Sequence, residues 1–346
     1  MSATGQRYAE AAGRVLAVGI PSPSLDAETS IALLRLAPGG IVLFGRNLDQ
    51  PRDLADLEEA LRNTLRSPFL LAIDQEGGRV SRLRPWIGPT ASAAALAALG
   101  ADAARAAGTA TGRTLRALGF GLDFAPVVDL GDPGRDNVIG DRSFGTAPER
   151  VTELAGAFLD ALQATGVAGC LKHFPGLGDG EIDPHESLPV CRCEPETLWA
   201  RDLVPYRDLA PRAAAVMVGH GSFPDLDPAP GRPATLSPSI VGGWLRARLG
   251  FRGLVVTDDM DMGAIAPLDP DGSAAVAAIG AGCDLLLYCK DLERAARARE
   301  ALVRAAEADA GFAARLEAAA EAVRMTAALY PAGRADLAAF EAARAG

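Results

Sequence analysis

Apolar residues fall into short continuous runs at residues 15–20, 40–44, 69–73, 122–125, 168–171, 215–218, 253–257 and 284–288. Alternation of apolar and polar residues marks a strand with one wet face, whereas unbroken runs mark strands covered on both faces. Between the runs lie segments with apolar residues at helical spacing. Residues 53–66 place Leu54, Leu57, Leu61 and Leu65 on one face, and residues 25–36, 93–118, 151–164, 194–209, 237–249 and 271–281 complete the set. Strand and helix alternating in this way predict an α/β protein of the closed parallel (β/α)8, TIM-barrel type. An open doubly wound sheet usually shows a glycine fingerprint after its first strand, but here Pro21-Ser-Pro-Ser24 follows. Beyond Tyr288, residues 291–308 and 312–330 read as helices with few apolar anchors, and residues 332–346 as a last surface helix with frayed ends. The expectation is one barrel domain over residues 1–346, its core at about 14–290 and a helical extension at 291–346.

Barrels of this kind gather reactive groups where the strands end. The second run leads to Gly45-Arg46-Asn47, and the third to a polar cluster from Asp74 through Glu76 and Arg79 to Arg82. The fourth leads to Asp129, Asn137 and residues 140–145. The fifth delivers Lys172 and His173, the sixth Gly219-His220-Gly221, and the seventh Asp258-Asp259. The chain has only three histidines, His173, His185 and His220, and all of them fall on this rim.

Composition narrows the possibilities. A net charge of −10 disfavours nucleic acid and anionic membrane surfaces as partners, since both require a basic face. Residues 1–10 are too polar for a signal peptide, and no apolar run is long enough to cross a membrane. The five cysteines suit reduced, packed thiols in a cytoplasmic protein. Cys191-Arg-Cys193 has no second pair at zinc spacing, and no His-Glu-x-x-His pattern occurs, so neither a metal nor another cofactor is expected.

A carboxylate such as Asp258 at a barrel mouth can serve as nucleophile, metal ligand or hydrogen-bond acceptor. Covalent glycosyl transfer needs an anionic carboxylate together with a separate proton donor. Asp258 suits the first task, and the segment Asp183-Pro-His185 suits the second. An imidazole titrates near neutrality, and a neighbouring carboxylate fixes its tautomer and stabilises its cation. Taken singly, each histidine could be structural; the aspartate two residues before His185 favours chemistry.

Several motifs occur in an order that resembles bacterial family 3 glycoside hydrolases, in particular single-domain β-N-acetylhexosaminidases. They are Gly39-Gly-Ile-Val-Leu-Phe-Gly-Arg-Asn47, Asp74-Gln-Glu-Gly-Gly-Arg-Val80, Phe124-Ala-Pro-Val-Val-Asp129, Ile139-Gly-Asp-Arg-Ser-Phe-Gly145, Lys172-His-Phe-Pro-Gly176, Asp183-Pro-His185 and Gly253-Leu-Val-Val-Thr-Asp-Asp-Met260. The resemblance implies a retaining exo-β-N-acetylglucosaminidase that removes terminal GlcNAc from a small glycan or muropeptide during peptidoglycan recycling. It implies Asp258 as nucleophile and His185, paired with Asp183, as acid/base. It assigns Asp74, Arg82, Arg142, Lys172 and His173 to sugar binding. The two arginines and the lysine would also keep Asp258 ionised.

The match has departures. Leu177 stands where the family usually has a histidine, and Pro184 where it has a small residue between the Asp and His. His220 is expected to act through a neighbour or to pack under the mouth. A phosphorylase acting on the same bond and a sugar-binding barrel that has lost catalysis are the competing readings. A monomer or weak homodimer is expected.

Overall fold

The computed structural model describes residues 3–132, 134, 138–177, 188–229 and 231–345. Eight parallel strands close into a barrel. In chain order these are β1 (Leu16–Gly19), β2 (Gly40–Leu43), β3 (Leu70–Ile73), β4 (Leu122–Asp123), β5 (Ala168–Phe174), β6 (Ala215–Val218), β7 (Leu254–Asp259) and β8 (Leu285–Tyr288). Each pairs with its sequence neighbours, and β8 pairs with β1 through Leu16 opposite Leu286.

The unbroken apolar runs follow from burial on two sides. Ala17, Val42, Leu70, Ala72, Leu122, Ala168, Cys170, Met217, Leu254, Val256, Leu285 and Leu287 form one cluster, the barrel interior. Intervening residues such as Leu16, Ile41, Leu71, Val216, Val255 and Leu286 belong to the cluster packed against the surrounding helices. Each strand therefore serves two cores in alternation. Fully burying one such aliphatic side chain contributes about 1.5–3 kcal/mol.

Two strands break this alternation where they reach the mouth. Along the β5–β6 ladder, Leu171 faces Val216 and Phe174 faces Val218, so β5 carries one extra residue. Along β7–β8, Val256 faces Leu285 and Asp259 faces Leu287, and β7 carries one extra residue as well. These are β-bulges, which re-aim side chains at strand ends.

Some helical segments differ from the sequence reading. Gly100, at φ 98°, divides residues 93–118 into helices Ala93–Leu99 and Ala101–Ala117. Residues 194–209 form two short helices, Pro195–Ala200 and Val204–Leu209. The expectation of few apolar anchors beyond Tyr288 fails: helix Ala310–Leu329 buries Leu316, Ala319, Val323 and Ala327. Val323 and Ala327 join the interior cluster and seal the barrel floor. The tail does form a surface helix, but an anchored one. Leu337–Ala345 docks through Phe340, which is fully buried and meets Trp86 edge-on with ring centroids 6.2 Å apart.

Candidate active site

Counting inward-facing positions in twos along the strands leads directly to the site. The interior residues Leu70 and Ala72 are followed by Asp74, Ala168 and Cys170 by Lys172, and Leu254 and Val256 by Asp258. The aliphatic layers thus end in a charged layer at the C-terminal mouth. These residues line a cavity of about 250 Å³ together with Glu76, Arg82, Arg142, His173, Leu177 and Asp259. Drug-sized ligand sites run from ~300 to 1,000 Å³, so the space suits one monosaccharide ring better than a chain.

A short hairpin after β3, Gln75–Gly77 paired with Val80–Ser81, carries Arg82 back over the mouth. Arg82 Nη2 lies 3.4 Å from Asp74 Oδ2, while its buried Nε has no partner among the described residues. Lys172, 2% exposed, donates to Asp74 Oδ1 at 2.8 Å and to Glu76 Oε1 at 2.6 Å. Arg142 donates to both oxygens of Glu76 at 2.8 Å, a bidentate clamp. Burial alone would push Glu76 upward, but Lys172 and Arg142 overcome it and hold the carboxyl well below its usual range. Burial likewise works against the Lys172 cation, and Asp74 and Glu76 more than offset it.

Asp258 accepts the Asp259 backbone N–H at 2.8 Å. Burial raises its pKa, but His173 and His220, the Asp259 N–H and Lys172 leave the net shift downward. The expected cationic support for Asp258 therefore comes chiefly from the histidines rather than from Arg82 and Arg142, which engage Asp74 and Glu76. Asp259 behaves oppositely: burial, followed by the charges of Asp261 and Asp258, raises it to about 6 despite N–H bonds from Asp261 and Cys289.

His220 is fully buried. Its Nε2 lies 3.0 Å from the Asp259 carbonyl and its Nδ1 2.9 Å from Thr235 Oγ1. A carbonyl can only accept, so Nε2 carries the proton. His220 thus packs under the mouth, where its charge contributes to the downward shift of Asp258. His173 is held by Asp129, whose Oδ2 lies 2.7 Å from Nδ1 and accepts the His173 backbone N–H at 3.1 Å.

The structure brings together Asp74, Arg82, Arg142, Lys172, His173 and Asp258 around one cavity. Asp183, His185, Pro184 and Asn137 lie outside the described residues. Leu177, described just before that segment, forms part of the cavity wall. Two contributors escaped the sequence reading: Glu76 received no role, and Asp129 was noted only for its place on the rim. The sequence signal for Glu76 was its position two residues past Asp74. No group of three or more His, Cys, Asp or Glu placed to hold a metal ion occurs among the described residues.

Residues 13–325 match the glycosyl hydrolase family 3 N-terminal domain. The chain belongs to glycosyl hydrolase family 3. It is a glycoside hydrolase. It is 38% identical over 286 residues to a protein of Alkalilimnicola ehrlichii named beta-hexosaminidase, covering 80% of this chain and 81% of that one. It superimposes on a family 3 β-N-acetylglucosaminidase from Paenibacillus with TM-score 0.86 and 34% identity, over 95% of this chain and 63% of that one. A family 3 glycosyl hydrolase from Mycobacterium smegmatis matches with TM-score 0.81 and 35% identity, over 93% and 96% of the two chains. Among the described residues, no helix is long and apolar enough to cross a membrane.

Proposed function

We propose that this glycoside hydrolase is a retaining exo-β-N-acetylglucosaminidase, with Asp258 as nucleophile and His185, oriented by Asp183, as acid/base. The observation that carries this reading is a carboxylate drawn below its usual range, Asp258, in the wall of a monosaccharide-sized cavity that Asp74, Lys172 and Arg142 also line. The names borne by the relatives supply the sugar.

In the first step Asp258 attacks the anomeric carbon while the His185 imidazolium protonates the departing oxygen. In the second, neutral His185 takes a proton from water, which displaces Asp258 and releases the sugar with retained configuration. Asp74 accepts from sugar hydroxyls, and Lys172, Arg142, His173 and Arg82 address its oxygens. The substrate is taken to be a GlcNAc-terminated fragment of peptidoglycan met in the cytoplasm, by a monomer or weak homodimer.

Incubation with a 2-acetamido-5-fluoro glycosyl fluoride, followed by peptide mapping, tests the assignment. The sugar mass is expected on the peptide containing Asp258; label on another carboxylate would defeat it. His185→Ala is expected to slow aryl glycosides with good leaving groups much less than natural glycans. Equal losses on both would contradict the acid role.

A further inference from the structure

The Asp129 carboxylate is almost entirely buried and has two backbone N–H groups and one imidazole nitrogen within hydrogen-bond reach. Oδ2 takes the His173 backbone N–H at 3.1 Å and approaches His173 Nδ1 at 2.7 Å. Oδ1 takes the Leu177 N–H at 2.8 Å. Its backbone oxygen accepts Ser143 Oγ at 2.8 Å, which ties it to the segment carrying Arg142. A carboxylate that already accepts two backbone N–H groups has only lone pairs to offer, so the ring hydrogen facing it belongs to His173 Nδ1. A Cβ on Gly219, just past β6, would come within 3.0 Å of His173 Cβ and 2.9 Å of Leu177 Cδ1, so the backbone there lies close against both residues that Asp129 holds.

We infer that Asp129 is a positioning residue for the reaction: it locks His173 with its proton on Nδ1 and leaves Nε2 as the ring atom available to the cavity that holds Asp258. This inference rests on the assignment of Asp258 as nucleophile. The arrangement parallels the carboxylate of a catalytic triad, which sets tautomer and orientation without touching substrate. Held this way, His173 keeps a fixed place beside Asp258, whose carboxyl it helps to hold below the usual carboxylate range. Among the described residues, the other acidic and basic groups lining the cavity with Asp258 are Lys172 on β5, Asp259 on β7, Asp74, Glu76 and Arg82 after β3, Arg142 after β4, Arg46 after β2 and Lys290 after β8, and His220 after β6 also acts on it.

The test compares wild type with Asp129→Asn on an aryl β-GlcNAc substrate across pH. An asparagine turns an N–H toward Nδ1 and favours the other tautomer. The acid limb of kcat/KM is expected to move upward by about half to one pH unit, and kcat to fall about 10- to 100-fold. An unchanged limb and an unchanged kcat in a folded variant would overturn the inference. Should the variant fail to fold, nitrogen-15 NMR of the wild-type imidazole decides independently of turnover. A proton on Nδ1 supports the inference, whereas a neutral ring protonated only at Nε2 refutes it. Failure of Asp258 to become labelled in the trapping experiment would instead sink the nucleophile assignment and leave the tautomer result standing.

Discussion

Glu76 and Asp259 show how neighbouring carboxyls at one mouth acquire opposite habits. Glu76 lies between Lys172 and Arg142 and binds its proton less readily folded than unfolded. Its stabilising effect is therefore complete above the ordinary carboxylate range, ~4.3 for glutamate, and is lost as pH falls below it. Glu76→Gln removes the counter-charge of two buried cations and is expected to cost about 3–5 kcal/mol at pH 7. In urea unfolding, the gap between variant and wild type should close as pH drops toward 3; a gap that stayed constant would contradict the ion-pair account. Asp259, raised to about 6, has the reverse sign: its proton is held more tightly in the fold, so its stabilising effect is present in acid and lost as pH rises through 6. Asp259→Asn keeps an oxygen for the N–H groups of Asp261 and Cys289. The variant should gain stability relative to wild type at pH 8 but not at pH 4.5.

At the scale of elements, the extra residue in each of β5 and β7 accounts for adjacent side chains sharing one cavity. Strict alternation would send His173 and Asp259 outward, away from Lys172 and Asp258, yet all four line it. Gly219 gives the bulge in β5 the room it needs, since a methyl there would meet both His173 and Leu177. Gly219→Ala is expected to reduce kcat/KM at least tenfold with little change in melting temperature; full activity would show the close approach to be inconsequential. Much of this was legible in sequence. The continuous apolar runs revealed strands covered on both faces, and the polar residues at their ends pointed to Asp74, Lys172 and Asp258. The bulges were not legible, because the run at residues 168–171 stops before Lys172, and only pairing with β6 shows that the strand continues to Phe174. Asp129 was silent for a related reason. Its partners, His173 and Leu177, lie 44 and 48 positions away, and no local pattern reports such contacts.

For the whole molecule, the last segments are structural members rather than trimmings. Phe340 fills a site against Trp86 on the outer face of the barrel, so Phe340→Ala should lower unfolding free energy by about 3–5 kcal/mol in denaturant titration. The kcat should be nearly untouched, because neither residue reaches the cavity; a large loss of turnover at full stability would point to coupling between the two regions. Helix Ala310–Leu329 matters still more, since Val323 and Ala327 close the bottom of the interior. β1, formed from residues near the start of the chain, has to wait for β8 before its second edge is paired. A ribosome must therefore have released the chain through β8 before the cylinder can shut, and through Leu329 before its floor can be fitted. Until then a nascent chain displays an open apolar bore and an unpaired edge, which makes early termination products of this protein natural clients for chaperones and proteases.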